Sequence, residues 1–223
     1  MLIDLFLIVP YKHHHVEGIR NVAYYSAHAE GNSTKALGDG AHAEGHNTEA
    51  NGNYSHAEGT STKAHGLYSH AEGQESETNG IASHSEGKQN FANGHYSHAE
   101  GCDNTATASA YSAHIEGLSN RAEGPASHVG GGYSKSSEDA TYGFAHGQGA
   151  FSNALGQAAL GNYNVGKTNT LLEVGNATND SNRSNAFEVY KDGHAEVQTA
   201  NTSNDKAVIT LEALKKFLVV STA

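Results

Sequence analysis

Ser55-His56-Ala57-Glu58-Gly59 decides how this chain folds, because the same phrase returns at near-constant spacing through more than half of the 223 residues. It recurs around His42, His70, His84, His98 and His114, with variants at His15, His28 and His128. From His28 to His98 successive histidines are 14 residues apart at every step. The step before is 13 (15 to 28), and the later ones are 16 (98 to 114) and 14 (114 to 128). A fixed short period is the mark of a solenoid, in which each repeat stacks on its neighbours.

A typical unit runs from Gly45 to Glu58 and holds two short alternating segments, Thr48-x-Ala50 and Ser55-x-Ala57, between Gly/Asn clusters. Alternation bounded by Gly and Asn reads as strand and turn. Fourteen residues are too few for a helix hairpin but make one coil with two short strands. Parallel stacking then pairs each strand with its copies above and below at ~4.8 Å per coil, so around ten coils give a rod on the order of 50 Å long.

Side chains alternate across a strand, so Ser55 and Ala57 face one way while His56 and Glu58 face the other. A two-strand coil has a narrow interior that only small side chains fit. Two like charges ~5 Å apart inside it would repel by roughly 3 kcal/mol at an effective dielectric of 20. Thr48, Ala50, Ser55 and Ala57 are therefore expected inside. Outside stand a histidine ladder (His28, His42, His56, His70, His84, His98, His114) and a glutamate ladder (Glu30, Glu44, Glu58, Glu72, Glu86, Glu100, Glu116). An unrelieved glutamate ladder destabilises, and an opposing histidine ladder, in the same chain or a neighbouring one, relieves it. A core of Ala, Ser and Thr also buries little apolar surface for an isolated monomer. Both considerations place the His/Glu face at a subunit interface.

The Ser-x-Ala-x-Gly phrase on a 14-residue period resembles the head repeats of YadA-like trimeric autotransporter adhesins. Its His-Ala-Glu-Gly form is closer still to repeats in tail fibre and receptor-binding proteins of phages and prophages. The resemblance covers roughly residues 13–166. It implies an all-β, left-handed parallel β-roll of 14-residue coils that assembles as a homotrimer. It says less about ligand, since such repeats serve as shafts as well as binding surfaces.

After Gly117 the pattern loosens. His128-Val129-Gly130-Gly131 lacks the Glu, Phe144 occupies the histidine column, and Ala154-Leu155-Gly156 and Ala159-Leu160-Gly161 follow, closer to apolar adhesin repeats. This polar-to-apolar change suggests a cap or junction, and the 16-residue coils ending at His114 and Phe144 are expected to carry their extra residues in surface turns. From residue 168 the period is lost. Leu171–Gly175 reads as a strand, and Ala186–Tyr190, the Asp192-Gly193 turn and His194–Val197 read as a β-hairpin; residues 168–200 resemble a connector of phage fibre proteins. After the polar linker from Asn201 to Asp205, Thr210 caps a short helix whose Leu211, Leu214 and Leu218 have neck-like spacing, across 201–223. At the other end, residues 1–12 form an apolar segment (Leu5 to Val9) too short to span a bilayer and, with Asp4, unlike a signal peptide. His13-His14-His15 resembles part of a tag, but His15 is in phase with the repeat.

The chain has 26 Gly, 2 Pro and no Trp, with 36% hydrophobic and 17% charged residues. Such a composition alone suggests disorder, but disordered chains do not keep register. A net charge of −11 disfavours nucleic acid or anionic membrane as a partner. Cys102 is the one cysteine, so no intrachain disulfide forms.

Zinc binds both His and Glu, but repetition alone supplies one of each per coil, and a site needs three or four converging ligands; a metal is not expected within one chain, although three chains meeting at an axis would bring histidines together. There is no His-Glu-x-x-His, Gly-x-Ser-x-Gly or phosphate loop, and no calcium nonapeptide. Cys102 looks like a turn substitution. No catalytic residue and no cofactor is expected. An ice-binding surface would need an exposed threonine ladder; Thr48, Thr62 and Thr78 read as interior. Tyr54, Tyr68 and Tyr96 share a column interrupted by Ala82, suited to sugar, to protein, or to packing on a neighbouring chain.

The expectation is a non-enzymatic trimeric fibre segment on a virion appendage or cell surface. Its partners are itself and a host cell-surface protein or glycan, without membrane insertion. The lack of a C-terminal membrane barrel in this sequence favours a phage appendage over the head of a bacterial surface adhesin. A polysaccharide-cleaving spike is the third alternative, disfavoured because no carboxylate among so many is singled out.

Overall fold

The structure, a computed structural model, describes residues 14–198. The apolar segment expected at 1–12 and the linker and helix expected at 201–223 lie outside those residues. The described chain is all-β apart from a single 3-10 turn, Asp180–Asn182. The described residues divide into two compact units, 14–108 and 109–198. The first is a parallel β-solenoid with about 14 residues per turn, and the second continues that pattern of coils before closing in antiparallel strands.

In the first unit, five-residue strands alternate with two-residue strands. The long ones are His15–Ile19, His28–Asn32, His42–His46, His56–Thr60, His70–Gln74, His84–Lys88 and His98–Cys102. The short ones are Val22–Ala23, Lys35–Ala36, Glu49–Ala50, Lys63–Ala64, Glu77–Thr78, Phe91–Ala92 and Thr105–Ala106. Each long strand pairs in parallel with its copy one coil on, like residue on like: His42 on His56, Ala43 on Ala57, Glu44 on Glu58, Gly45 on Gly59. The short strands do the same, Ala50 lying opposite Ala64.

The long strand starts one residue later than the alternation predicts, at His56 rather than Ser55, and the short one at Glu49 rather than Thr48. Ser55 sits at the corner instead, where its hydroxyl donates to the Gly52 carbonyl at 2.7 Å and closes the turn. Ser69, Ser83 and Ser97 repeat that bond to Gly66, Gly80 and Gly94. A short hydroxyl next to a glycine corner favours this local bond over strand pairing.

The interior is as narrow as expected. Ala29, Ala43, Ala57, Ala71 and Ala99 fill one buried row, and Ala36, Ala50, Ala64, Thr78 and Ala92 fill the facing one. A third row, Thr34, Thr48, Thr62, Ser76, Asn90 and Asn104, is buried and polar. Among the described residues of this unit every buried apolar side chain is an alanine. A buried methyl contributes only about 0.8 kcal/mol, so stability here rests on ladder hydrogen bonds and polar staples. Asn90 is one staple: its amide donates to the Glu86 carbonyl and, at 2.8 Å, to the Gly101 carbonyl of the next coil, while its oxygen accepts from Asn104 N–H at 2.9 Å.

Gly73 shows why the last letter of the repeat is glycine. Its φ is +96°, and a Cβ there would lie 2.1 Å from the Gly87 carbonyl oxygen of the next coil. A side chain is excluded both by backbone conformation and by the neighbouring strand.

The second unit stacks His114–Leu118, His128–Gly132, Phe144–Gln148, Ala158–Asn162 and Thr170–Asn176 in parallel, with short strands Arg121–Ala122, Lys135–Ser136 and Phe151–Ser152. Ile115 and Val129 enlarge the inner alanine row and are fully buried. Phe144 does stand in the histidine column, opposite His128. The longer connection before Phe144 spends its extra length in turns where Glu138 and Asp139 are exposed. The stack ends where Thr170–Asn176, parallel to Ala158–Asn162 on one side, pairs antiparallel with Asn185–Tyr190 on the other. Asn185–Tyr190 in turn runs antiparallel to Ala195–Val197, with Phe187 opposite Val197.

Two buried carboxylates hold that ending. Glu173 accepts from Gly166 N–H (2.7 Å), Lys167 N–H (2.6 Å), Asn164 Nδ2 (2.7 Å) and Thr170 Oγ1 (2.8 Å). Glu188 accepts from Lys167 Nζ (2.7 Å) and Tyr190 OH (2.6 Å), and is bonded to Asn185. Burial alone would raise the Glu188 carboxyl, but these hydrogen bonds outweigh it and bring the group below its ordinary value. The Lys167 ammonium is raised, its own burial being overcome by Glu188 and Tyr190.

Candidate functional site: the histidine and glutamate columns

The like-on-like register puts one imidazole above another. In the first unit ring centroids are 4.7 Å apart for His28–His42, 4.6 Å for His42–His56 and His56–His70, and 4.8 Å for His70–His84 and His84–His98. The planes lie within 15° of parallel. These spacings are the strand repeat itself, so the column is a direct product of the ladder. In the second unit His114 and His128 are 4.7 Å apart and tilted by 32°.

The carboxylate partner comes from the same chain. His28 Nε2 is 3.5 Å from Glu30, His42 and His56 are each 3.8 Å from Glu44 and Glu58, and His70 is 3.6 Å from Glu72. Further along, His98 approaches Glu86 of the preceding coil at 3.7 Å, and in the second unit His128 approaches Glu116 at 3.3 Å. Two residues apart on a strand point the same way, so each glutamate covers the imidazole beside it. The rings are about one-third exposed, 35% at His42 and 37% at His70. Their tips are not: Nε2 of His28, His42, His56, His70 and His84 is screened from water and has no hydrogen-bond partner among the described residues.

Burial, and then the charge of neighbouring imidazoles, holds His42, His56, His70 and His84 below the usual histidine value against the opposing pull of the glutamates. On the acid column, burial and a hydrogen bond from Glu86 raise Glu72. Glu86 itself is lowered, chiefly by a hydrogen bond with Glu100. Within the unit, ligand atoms of His70, Glu72 and His84 lie within 4.8 Å of one another, as do those of Glu86, His98 and Glu100.

The tyrosine column lies at a corner. Tyr54, Tyr68 and Tyr96 adopt left-handed backbone (φ 57°, 59° and 60°), as does the intervening Ala82 (49°). They are 56%, 58% and 65% exposed, and Tyr54 stacks on Tyr68 at 5.5 Å. Thr48, Thr62 and Thr78 are buried, and Thr78 bonds Ser69 Oγ. Cys102 is a free thiol of intermediate exposure at the end of its strand.

At position 130 the acid column has a glycine, and His146 stands in that column one coil later; a Cβ on Gly130 would meet the tips of the His146 and Glu116 side chains, at 2.6 Å and 3.2 Å. Sequence reading passed over the staple residues Asn90 and Asn104 and the sealed carboxylates Glu173 and Glu188. Asn90 and Asn104 could have been found from their place in the Thr34/Thr48/Thr62 column; for the two glutamates no local pattern signals burial.

No protein-family model matches this chain, and no curated protein matches it. No helix among the described residues is long and apolar enough to cross a membrane.

Proposed function

We propose that this chain is a segment of a non-enzymatic, homotrimeric fibre on a phage or prophage appendage, contributing to attachment at the host surface. The observation that carries the reading is the pair of aligned His and Glu columns on one face of a solenoid whose interior, in the first unit, is only alanine deep. Such an interior provides little apolar stabilisation for a lone chain. The face is ordered, repeats with the backbone and leaves Nε2 of His28, His42, His56, His70 and His84 without a hydrogen-bond partner among the described residues, and three copies packed around an axis would bury it. The left-handed coil, the trimer and the role of residues 168–200 as a connector come from the resemblance to adhesin and phage fibre repeats. In this reading the exposed corners, with Tyr54, Tyr68 and Tyr96, are the surface offered to a host protein or glycan, and the stack supplies reach.

The test is solution mass by sedimentation. With 23.3 kDa per chain, a single species at three times that value supports the trimer, and a monodisperse monomer overturns it. Labelled protein binding to intact bacteria then separates an attachment segment from a passive shaft.

A further inference from the structure

We propose that His70, Glu72 and His84 form a binding site for a divalent transition-metal ion of the zinc class, built within one chain from two successive coils. Convergence is the requirement that one His and one Glu per coil fails to meet. Stacking meets it, because His84 arrives from the next coil beside His70, and the ligand atoms of the three residues lie within 4.8 Å of one another. Bond lengths of ~2.0–2.2 Å place tetrahedral zinc ligands roughly 3.3–3.5 Å apart. A tilt of two partly exposed rings and a turn of the Glu72 carboxylate, itself 38% exposed, close that gap.

Two independent features point to a cation. The first is the state of the nitrogens: Nε2 of His70 and of His84 has no hydrogen-bond partner among the described residues and is shielded from water. An imidazole lone pair shut away from donors lacks its usual compensation, and a metal ion supplies it. The second feature is crowded negative charge. Glu72 lies opposite Glu58 in the ladder register, like charges so placed repel, and a bound cation relieves that repulsion. Two imidazoles and one carboxylate form a known zinc ligand set with a fourth position open. Glu86, His98 and Glu100 repeat the arrangement with more oxygen character.

The site is complete in a single chain and does not rest on the trimeric reading. The experiment uses the full chain, stripped of metal with chelator and then equilibrated with zinc chloride at neutral pH. Metal retained after gel filtration is measured by elemental analysis and affinity by calorimetry, with mass recorded on the same samples. Wild type is expected to retain zinc. The double variant His70→Gln/His84→Gln is expected to lose at least one ion per chain. Glu72→Gln, nearly isosteric and at a partly exposed position, is expected to weaken binding about tenfold or more with unchanged circular dichroism. His194→Gln, outside the column, is expected to behave as wild type. No zinc above the buffer blank, or retention and affinity unchanged in the Glu72→Gln variant, overturns the site even if the double variant fails to fold. A monomer that binds zinc refutes the trimer and leaves the site standing; a trimer without zinc does the reverse.

Discussion

Replacing Gly73 by alanine tests whether coil-to-coil spacing is set by backbone contact, and Gly193 provides a matched control. The two glycines have nearly equal φ, +96° and +92°. An alanine at either position takes on left-handed backbone strain of about 1–3 kcal/mol. Only at Gly73 is there an obstacle: the new Cβ would sit 2.1 Å from the Gly87 carbonyl oxygen and 3.0 Å from its nitrogen, whereas nothing lies within 4 Å at Gly193. Restoring ordinary contact means parting His70–Gln74 from His84–Lys88 by about an ångström, enough to weaken two or three ladder hydrogen bonds at about 1 kcal/mol each. The expected loss is therefore about 3–6 kcal/mol for Gly73→Ala against about 1–3 for Gly193→Ala. With about 2–4 °C per kcal/mol for a chain of this size, the thermal midpoint followed by far-UV circular dichroism should fall by about 4–12 °C more in the first variant than in the second. Equal losses would refute the contact argument and leave only backbone strain.

Acid should destabilise the fold. His42, His56, His70 and His84 are lowered from 6.5 in the folded chain, so the unfolded chain binds more protons. Their stabilising effect is complete above about pH 6.5 and is lost as pH falls through the depressed folded values. Glu72, raised, acts in the opposite sense, and Glu86, lowered, offsets it. A midpoint that stays constant between about pH 8 and pH 5 would contradict the shielded column. Ala57→Leu forces extra volume into a site of zero exposure and should cost about 1–3 kcal/mol or more, read from urea unfolding; a neutral result would mean the interior is wider than described. Glu173→Ala strands the N–H groups of Gly166 and Lys167 and the side chains of Asn164 and Thr170. It should cost about 1–3 kcal/mol for each donor left unsatisfied, with faster hydrogen exchange across 157–190 and little change in the first unit.

Legibility in this chain follows repetition. Any property that recurs once per coil, such as the small inner residues Ala43, Ala57 and Ala71 or the outward His and Glu, could be deduced from period and alternation, since one coil's answer applies to its copies. Relations between coils were harder to see. That His70 and His84 close around Glu72 depends on vertical spacing, not on order along the chain. The Asn90 amide reaching Gly101 links one coil to the next and follows from how coils stack, not from the alternation within a strand. The sealed glutamates of the second unit were the least accessible. Glu173 and Glu188 each occur once, amid ordinary strand residues, and only the donors folded around them explain a buried charge. Strand starts slipped by one residue because Ser55 chose a turn bond that alternation does not encode.

Like-on-like pairing has a consequence for how such chains change length. Were residues 56–69 excised, His70 would come to rest on His42, Ala71 on Ala43 and Glu72 on Glu44, each meeting the kind of neighbour it already has. The long strands would thus accept the loss or gain of a whole storey, while the short strands would not in every case: without Lys63, which lies between Glu49 and Glu77, those two carboxylates would meet across the new junction.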